Sequence, residues 1–115
     1  MIKVEKEYLE RANNAIQSVI SDLEKARDLD SDSIVEWLNE YTLDVRYMLD
    51  SNLELLEVGL LVSYGGPTIW VWLDGVNVRV EYYEAFYAPV IRTFRIDLDN
   101  VFDYFNDLIS GMVVK

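Results

Sequence analysis

Six carboxylates fall into two rows at a strict four-residue step: Glu36, Glu40 and Asp44 in the first half of the chain, and Asp99, Asp103 and Asp107 near its end. On a helix that step puts side chains on one face about 6 Å apart, so each row reads as a line of anions. Like charges so spaced cost a few tenths of a kcal/mol per pair, and aspartate is a poor helix former. Local stability therefore argues against both rows. What such a line can do is receive cations, above all a basic protein surface of the kind that otherwise holds nucleic acid. The step is nearly twice the roughly 3.4 Å axial rise per phosphate of one DNA strand, so the likeness to a phosphate backbone is approximate. The plainer reading of the same carboxylates is a solvated face that keeps the chain soluble.

Other chemistry has few carriers. The chain has no histidine and no cysteine, and its lysines, Lys3, Lys6, Lys25 and Lys115, lie near the first helix or at the last residue. No serine stands in a nucleophile-elbow setting, and a carboxylate-only mechanism would need two acids facing each other across a cleft. Asp28, Asp30 and Asp32 have the spacing that opens a calcium loop. Ser33, however, stands where such a loop needs glycine, and Asn39 where it needs a bidentate glutamate. Gly65-Gly66-Pro67 is not followed by a helix start, which argues against a phosphate loop. The expectation is a non-enzyme without cofactor or metal.

The charge balance sets the partner class. Ten basic residues stand against 21 acidic ones, a net charge of −11 on 115 residues. The imbalance is concentrated in residues 28–78, where Arg46 is the only base. Direct nucleic-acid binding and membrane association are both disfavoured by that sign, and a basic, nucleic-acid-binding protein is the expected partner. Length and hydrophobic content fit one globular domain over residues 1–115. The charged start and the lack of a long apolar run argue against a signal peptide or membrane helix, and the absence of cysteine fits the cytoplasm.

The elements that would position these residues follow from periodicity. Val4, Tyr8, Ala12, Ala15, Ile16, Val19, Ile20, Leu23 and Ala26 recur at three and four residues, predicting an amphipathic helix over about 4–28, with Glu7 and Arg11 as an i,i+4 pair. Ser33 with Glu36 forms a capping box for a second helix over about 33–50, whose stripe is Ile34, Leu38, Tyr41, Val45 and Met48. Alternation over 55–64 predicts a strand, 86–96 a further strand with Pro89 at an edge or bulge, and 97–110 a last helix that buries Phe102 and Phe105. Arg79, Arg92 and Arg95 are expected to pair with Glu81, Glu84 or Asp97. The predicted class is α+β: two N-terminal helices, an antiparallel sheet of three to four strands, and a C-terminal helix on one sheet face.

Residues 65–83 form the centre of that sheet. Two β-rich runs flank Asp74-Gly75, and a two-residue turn there would set Leu73 across from Val76, Val71 from Val78, and Ile69 from Val80. One hairpin face is then aliphatic, while the other carries Trp70 and Trp72, with Trp70 across from Arg79. Either the N-terminal helices cover that second face, or part of it is open and the tryptophans anchor a partner.

The run Gly65-Gly66-Pro67-Thr68-Ile69-Trp70-Val71, the hairpin, and the acidic aromatic helix with Asp99, Phe102, Tyr104 and Phe105 resemble a family of small acidic proteins of bacterial phages and mobile elements. The resemblance covers roughly 58–110, and the family carries an aspartate where this chain has Trp72. In size and charge the whole looks like anti-CRISPR and anti-restriction proteins, which implies an inhibitor that occupies the nucleic-acid surface of a defence enzyme. An antitoxin or immunity protein neutralising a basic partner, and a homo-oligomeric assembly subunit, are the alternatives. Partner binding is expected at the two acidic rows and at Trp70 and Trp72.

Overall fold

A computed structural model describes residues 2–112, with side-chain burial from residue 5 onward. The three helices are α1 (Ile2–Lys25), α2 (Ser31–Tyr41) and α3 (Asp99–Met112). The strands are β1 (Asp44–Leu49), β2 (Leu55–Ser63), β3 (Thr68–Leu73), β4 (Asn77–Tyr83) and β5 (Val90–Arg95). They form one sheet in sequence order, each neighbour pair antiparallel. The α+β class holds, with five strands in place of three or four.

α1 buries Tyr8, Ala12, Ile16, Val19, Ile20 and Leu23 on one stripe, as its spacing predicts; Val4 lies outside the residues whose side chains are described. Arg11 does not pair with Glu7 but reaches Glu84 beyond β4, at 2.7 Å.

The second helix is shorter than its periodicity suggests. Asp30, not Ser33, is its N-cap, accepting the Ser33 amide at 2.9 Å, a bond that holds the Asp30 carboxyl below its ordinary range. The helix ends where Thr42 sends both its hydroxyl and its amide to the Leu38 carbonyl, at 2.7 and 2.9 Å. Residues 44–49 are then a strand. Tyr41, Val45 and Met48 fit a helical stripe, but Val45, Tyr47 and Leu49 also fit an alternation of two, and the free edge of β2 decides between them. The Leu43 amide opens that pairing on the Leu61 carbonyl at 2.7 Å.

The central hairpin pairs, but in a register two residues from the expected one. Leu73 faces Val78, Val71 faces Val80, and Ile69 faces Tyr82. The Asp74 carboxylate accepts the amides of Val76 and Asn77 at 3.0 and 2.8 Å, closing a longer loop in which Gly75 sits at φ 102°. A side chain at Gly75 would also meet Asp99 Oδ1 at 2.8 Å, where α3 begins. Because strand side chains alternate with period two, a two-residue shift leaves every side chain on its expected face.

The aliphatic face is the core. Val58, Leu60, Val71, Leu73, Val78 and Val80 are wholly buried on it, and α1 and α3 pack against the same face, with α2 against α3. Leu98, just before α3, and Val101, Phe105 and Ile109 in it are buried, but Phe102 is only half-buried, and Leu108 and Met112 are exposed. The buried residues of α3 make one narrow stripe, and its flanks stay wet.

Asn100 ties α3 to the connection between α1 and α2. Its amide donates to the carbonyls of Ala26 and Leu29 at 2.9 and 3.0 Å. Asn100→Ala is expected to lower stability by about 1–3 kcal/mol, because the Leu29 carbonyl loses its side-chain donor and the Ala26 carbonyl keeps only the Leu29 amide at 3.3 Å. A urea melt unchanged within about 0.5 kcal/mol would show that the tie is ornamental.

Candidate functional site

The two sides of the molecule differ in kind. On the helical side, α2 and α3 border a groove of about 550 Å³ with Leu29, Ile34, Tyr104 and Leu108 in its lining and Asp30, Asp103 and Asp107 among its walls. The four-residue step on α3 brings Asp103 and Asp107 to the same groove, and the cap of α2 brings Asp30 opposite them. Asp99 points elsewhere, into a depression shared with Arg27, Val76, Arg95 and Asp97. Its carboxyl is held above the usual range, chiefly by the neighbouring Asp97 charge, with burial and Asp103 and Asp74 adding to the push. Glu36 and Glu40 lie on the other flank of α2, beside Lys25 and Trp37.

Asp44 breaks from its row altogether. It opens β1, next to Arg46, whose Nε lies 3.8 Å from its carboxylate. The first row is therefore two carboxylates on a helix and one on the sheet. Among the described residues, none of Asp28, Asp30, Asp32, Glu36, Glu40, Asp97, Asp99, Asp103 and Asp107 has a salt-bridge partner. The α2–α3 side thus keeps its negative charge uncompensated by close pairs, whereas α1 has Arg11 paired with Glu84 and Lys25 with Asp22.

The opposite sheet face is not covered by the N-terminal helices, which pack on the aliphatic side. Cross-strand pairing lays out two rows on it. One runs Asp44, Leu61, Trp70, Glu81, Ile91; the other runs Arg46, Gly59, Trp72, Arg79, Thr93. Trp72 lies flat on β2 because Gly59 has no side chain: a Cβ there would meet Cη2 and Cζ3 of the indole at 2.7 Å. The indole nitrogen of Trp72 donates to Glu81 at 3.1 Å, and the two tryptophans stack with centroids 5.8 Å apart.

Arginines close over both rings. Arg79 stands 5.7 Å from the centre of Trp72, not Trp70 as the expected register would have it, and Arg46 stands 4.9 Å from Trp70. Arg79 also bridges Glu57 at 2.9 Å and Glu81 at 3.1 Å, and Tyr83 donates to Glu81 at 3.0 Å. The expected pairing of Arg79 with Glu81 is present. Arg92 and Arg95 have no salt bridge among the described residues, and Glu84 is taken by Arg11.

Sequence reasoning made Phe86 the start of a strand over 86–96, but β5 begins only at Val90 and Phe86 belongs to the loop before it. It stands fully exposed, at 105%, in the β4–β5 loop with φ 71°, a conformation that costs a bulky residue strain. The signal available was an aromatic in a loop without glycine. Tyr64, in the β2–β3 loop at the same end of the sheet, is also exposed. Among the described residues no helix is long and apolar enough to cross a membrane. Comparisons with protein-family models, with curated proteins and with solved structures found no match to this chain.

Proposed function

We propose that the protein is an acidic inhibitor, of the anti-CRISPR or anti-restriction kind, that binds a basic nucleic-acid-binding protein through its helical layer and occupies the surface nucleic acid would take. One observation carries the reading: the carboxylates around α2 and α3 are exposed and lack close basic partners, although mixing in lysines would have stabilised the helices. An apolar floor between acidic walls, as in the α2–α3 groove, fits a basic segment that has an apolar side of its own. In this reading no residue is catalytic. Asp30, Asp103 and Asp107 steer and hold the partner, with Glu36 and Glu40 extending the negative field on the other flank and Asp99 at the start of α3.

The test is competition. When the protein is titrated into a phage-restricting nuclease or CRISPR effector and labelled duplex binding is followed, the apparent affinity for DNA should fall in proportion to inhibitor concentration. The effect should weaken as salt rises. An inhibitor whose potency is indifferent to DNA concentration works at another site, and this reading then fails.

A further inference from the structure

We propose that the open sheet face is a self-association surface and that the protein forms a face-to-face dimer with its helical layers turned outward. By strand register the face carries three arginines, Arg46, Arg79 and, at its rim beside the depression that holds Asp99, Arg95, and three acids, Asp44, Glu57 and Glu81, so its formal charge is zero. The entire net charge of −11 therefore sits elsewhere on the chain. A basic partner is drawn to the helical layer and an acidic one is repelled by the molecule as a whole. The surface on which two copies meet without opposing each other is this one.

A twofold interface must complement itself, and the register allows it. An axis laid along β3, between two such faces, maps β1 onto β5 and β2 onto β4 of the other copy. By backbone position Asp44 then lies across from Ile91, Arg46 from Thr93, and Glu81 from Leu61, so no acidic position faces an acidic one and no arginine position faces an arginine. Trp70 and Trp72 on β3 lie at the centre, where binding energy concentrates, and the Trp72 ring, flat on β2, comes against β4 of the other copy. Arg79, Glu57 and Glu81 are already paired within the chain and partly buried, so covering them strips little further water. The composition is that of an interface: tryptophan, tyrosine, methionine and arginine, without lysine.

The area is that of a weak, reversible interface. Five strands about 4.8 Å apart and roughly six residues long at about 3.3 Å each make a patch of about 480 Å² per copy, close to 1,000 Å² for the pair. That is below the roughly 1,200 Å² of stable specific interfaces and indicates weak association, with dimer forming only at high concentration.

Sedimentation equilibrium of the full chain decides the matter, at about 100 µM and about 0.3 M salt, where repulsion between the acidic layers is screened. The expected mass is twice the 13.4 kDa of one chain, with tryptophan emission shifting to the blue as dimer forms. Arg46→Glu and Thr93→Glu, on opposite edges of the face, should each weaken association at least about tenfold. Glu10→Gln on α1 should leave it unchanged. A single-chain mass under these conditions overturns the proposal, as does a dimer indifferent to both face variants. Either result leaves the competition experiment on the helical layer standing, because that readout does not require two copies.

Discussion

Replacing Asp99, Asp103 and Asp107 together with asparagine is expected to weaken binding to a basic partner about 10- to 100-fold at low salt, at about 0.5–1 kcal/mol per lost charge pair. Folding should not suffer. The Asp99 carboxyl is held above its ordinary range chiefly by Asp97, so its charged form is disfavoured in the folded state. A raised folded pKa on an acid means that the fold gains stability as pH falls through that value, and asparagine removes the same repulsion at neutral pH. Asp99 also gives up a favourable place in the first turn of α3, which offsets part of that relief. The α3 row should matter more than Glu36→Gln with Glu40→Gln, because Asp103 and Asp107 share the groove with Asp30 and the two glutamates face Lys25. Equal affinity of wild type and both multiple variants, titrated at low salt, would reduce the carboxylates to solubility devices.

Gly59→Ala is expected to destabilise the protein by about 1–3 kcal/mol, since the new methyl would occupy the space of the Trp72 ring. Either the indole lifts and gives up its bond to Glu81, or β2 moves against β3. The decisive measurement is a double-mutant cycle in urea. With Trp72→Ala in place the methyl has room, and Gly59→Ala should become neutral or stabilising by up to about 0.5–1 kcal/mol, because alanine loses less backbone entropy than glycine. A change of sign between the two backgrounds is the expected outcome. Additive effects would mean that Trp72 does not lie on Gly59, and the flat aromatic platform would be lost with it.

Much of the fold was legible locally. The α1 stripe from Tyr8 to Leu23 and the α3 positions Val101, Phe105 and Ile109 lie where a period of 3.6 places them. The central hairpin shows why some conclusions survive an error. Asp74 captures the Asn77 amide and lengthens the loop, but the shift is by two residues, so Ile69, Val71 and Leu73 still face the core and Trp70 and Trp72 still face away. Only the partners changed, giving Arg79 to Trp72 and leaving Trp70 to Arg46.

The stretch 44–49 was not legible, because its apolar residues satisfy two periods at once. A helix continuing from Tyr41 would have kept Asp44 in line with Glu36 and Glu40. Pairing with the edge of β2 is a contact between residues such as Arg46 and Gly59, and nothing within either segment announces it. The acidic row was divided by that pairing.

The sequence by itself determined the periodic faces, the sign and uneven placement of the charge, and the absence of histidine and cysteine, since each is a property of residue types and their spacing. Tertiary structure alone decided which face of the sheet the helices cover, which carboxylates share a groove, and that Gly59 makes the bed for Trp72. The reason is physical: periodicity tells a strand that it has two faces, but burial is settled by segments far away in the chain, which compete to remove the most apolar surface from water. The aliphatic side took the helices, and the tryptophan side was left free to meet something else.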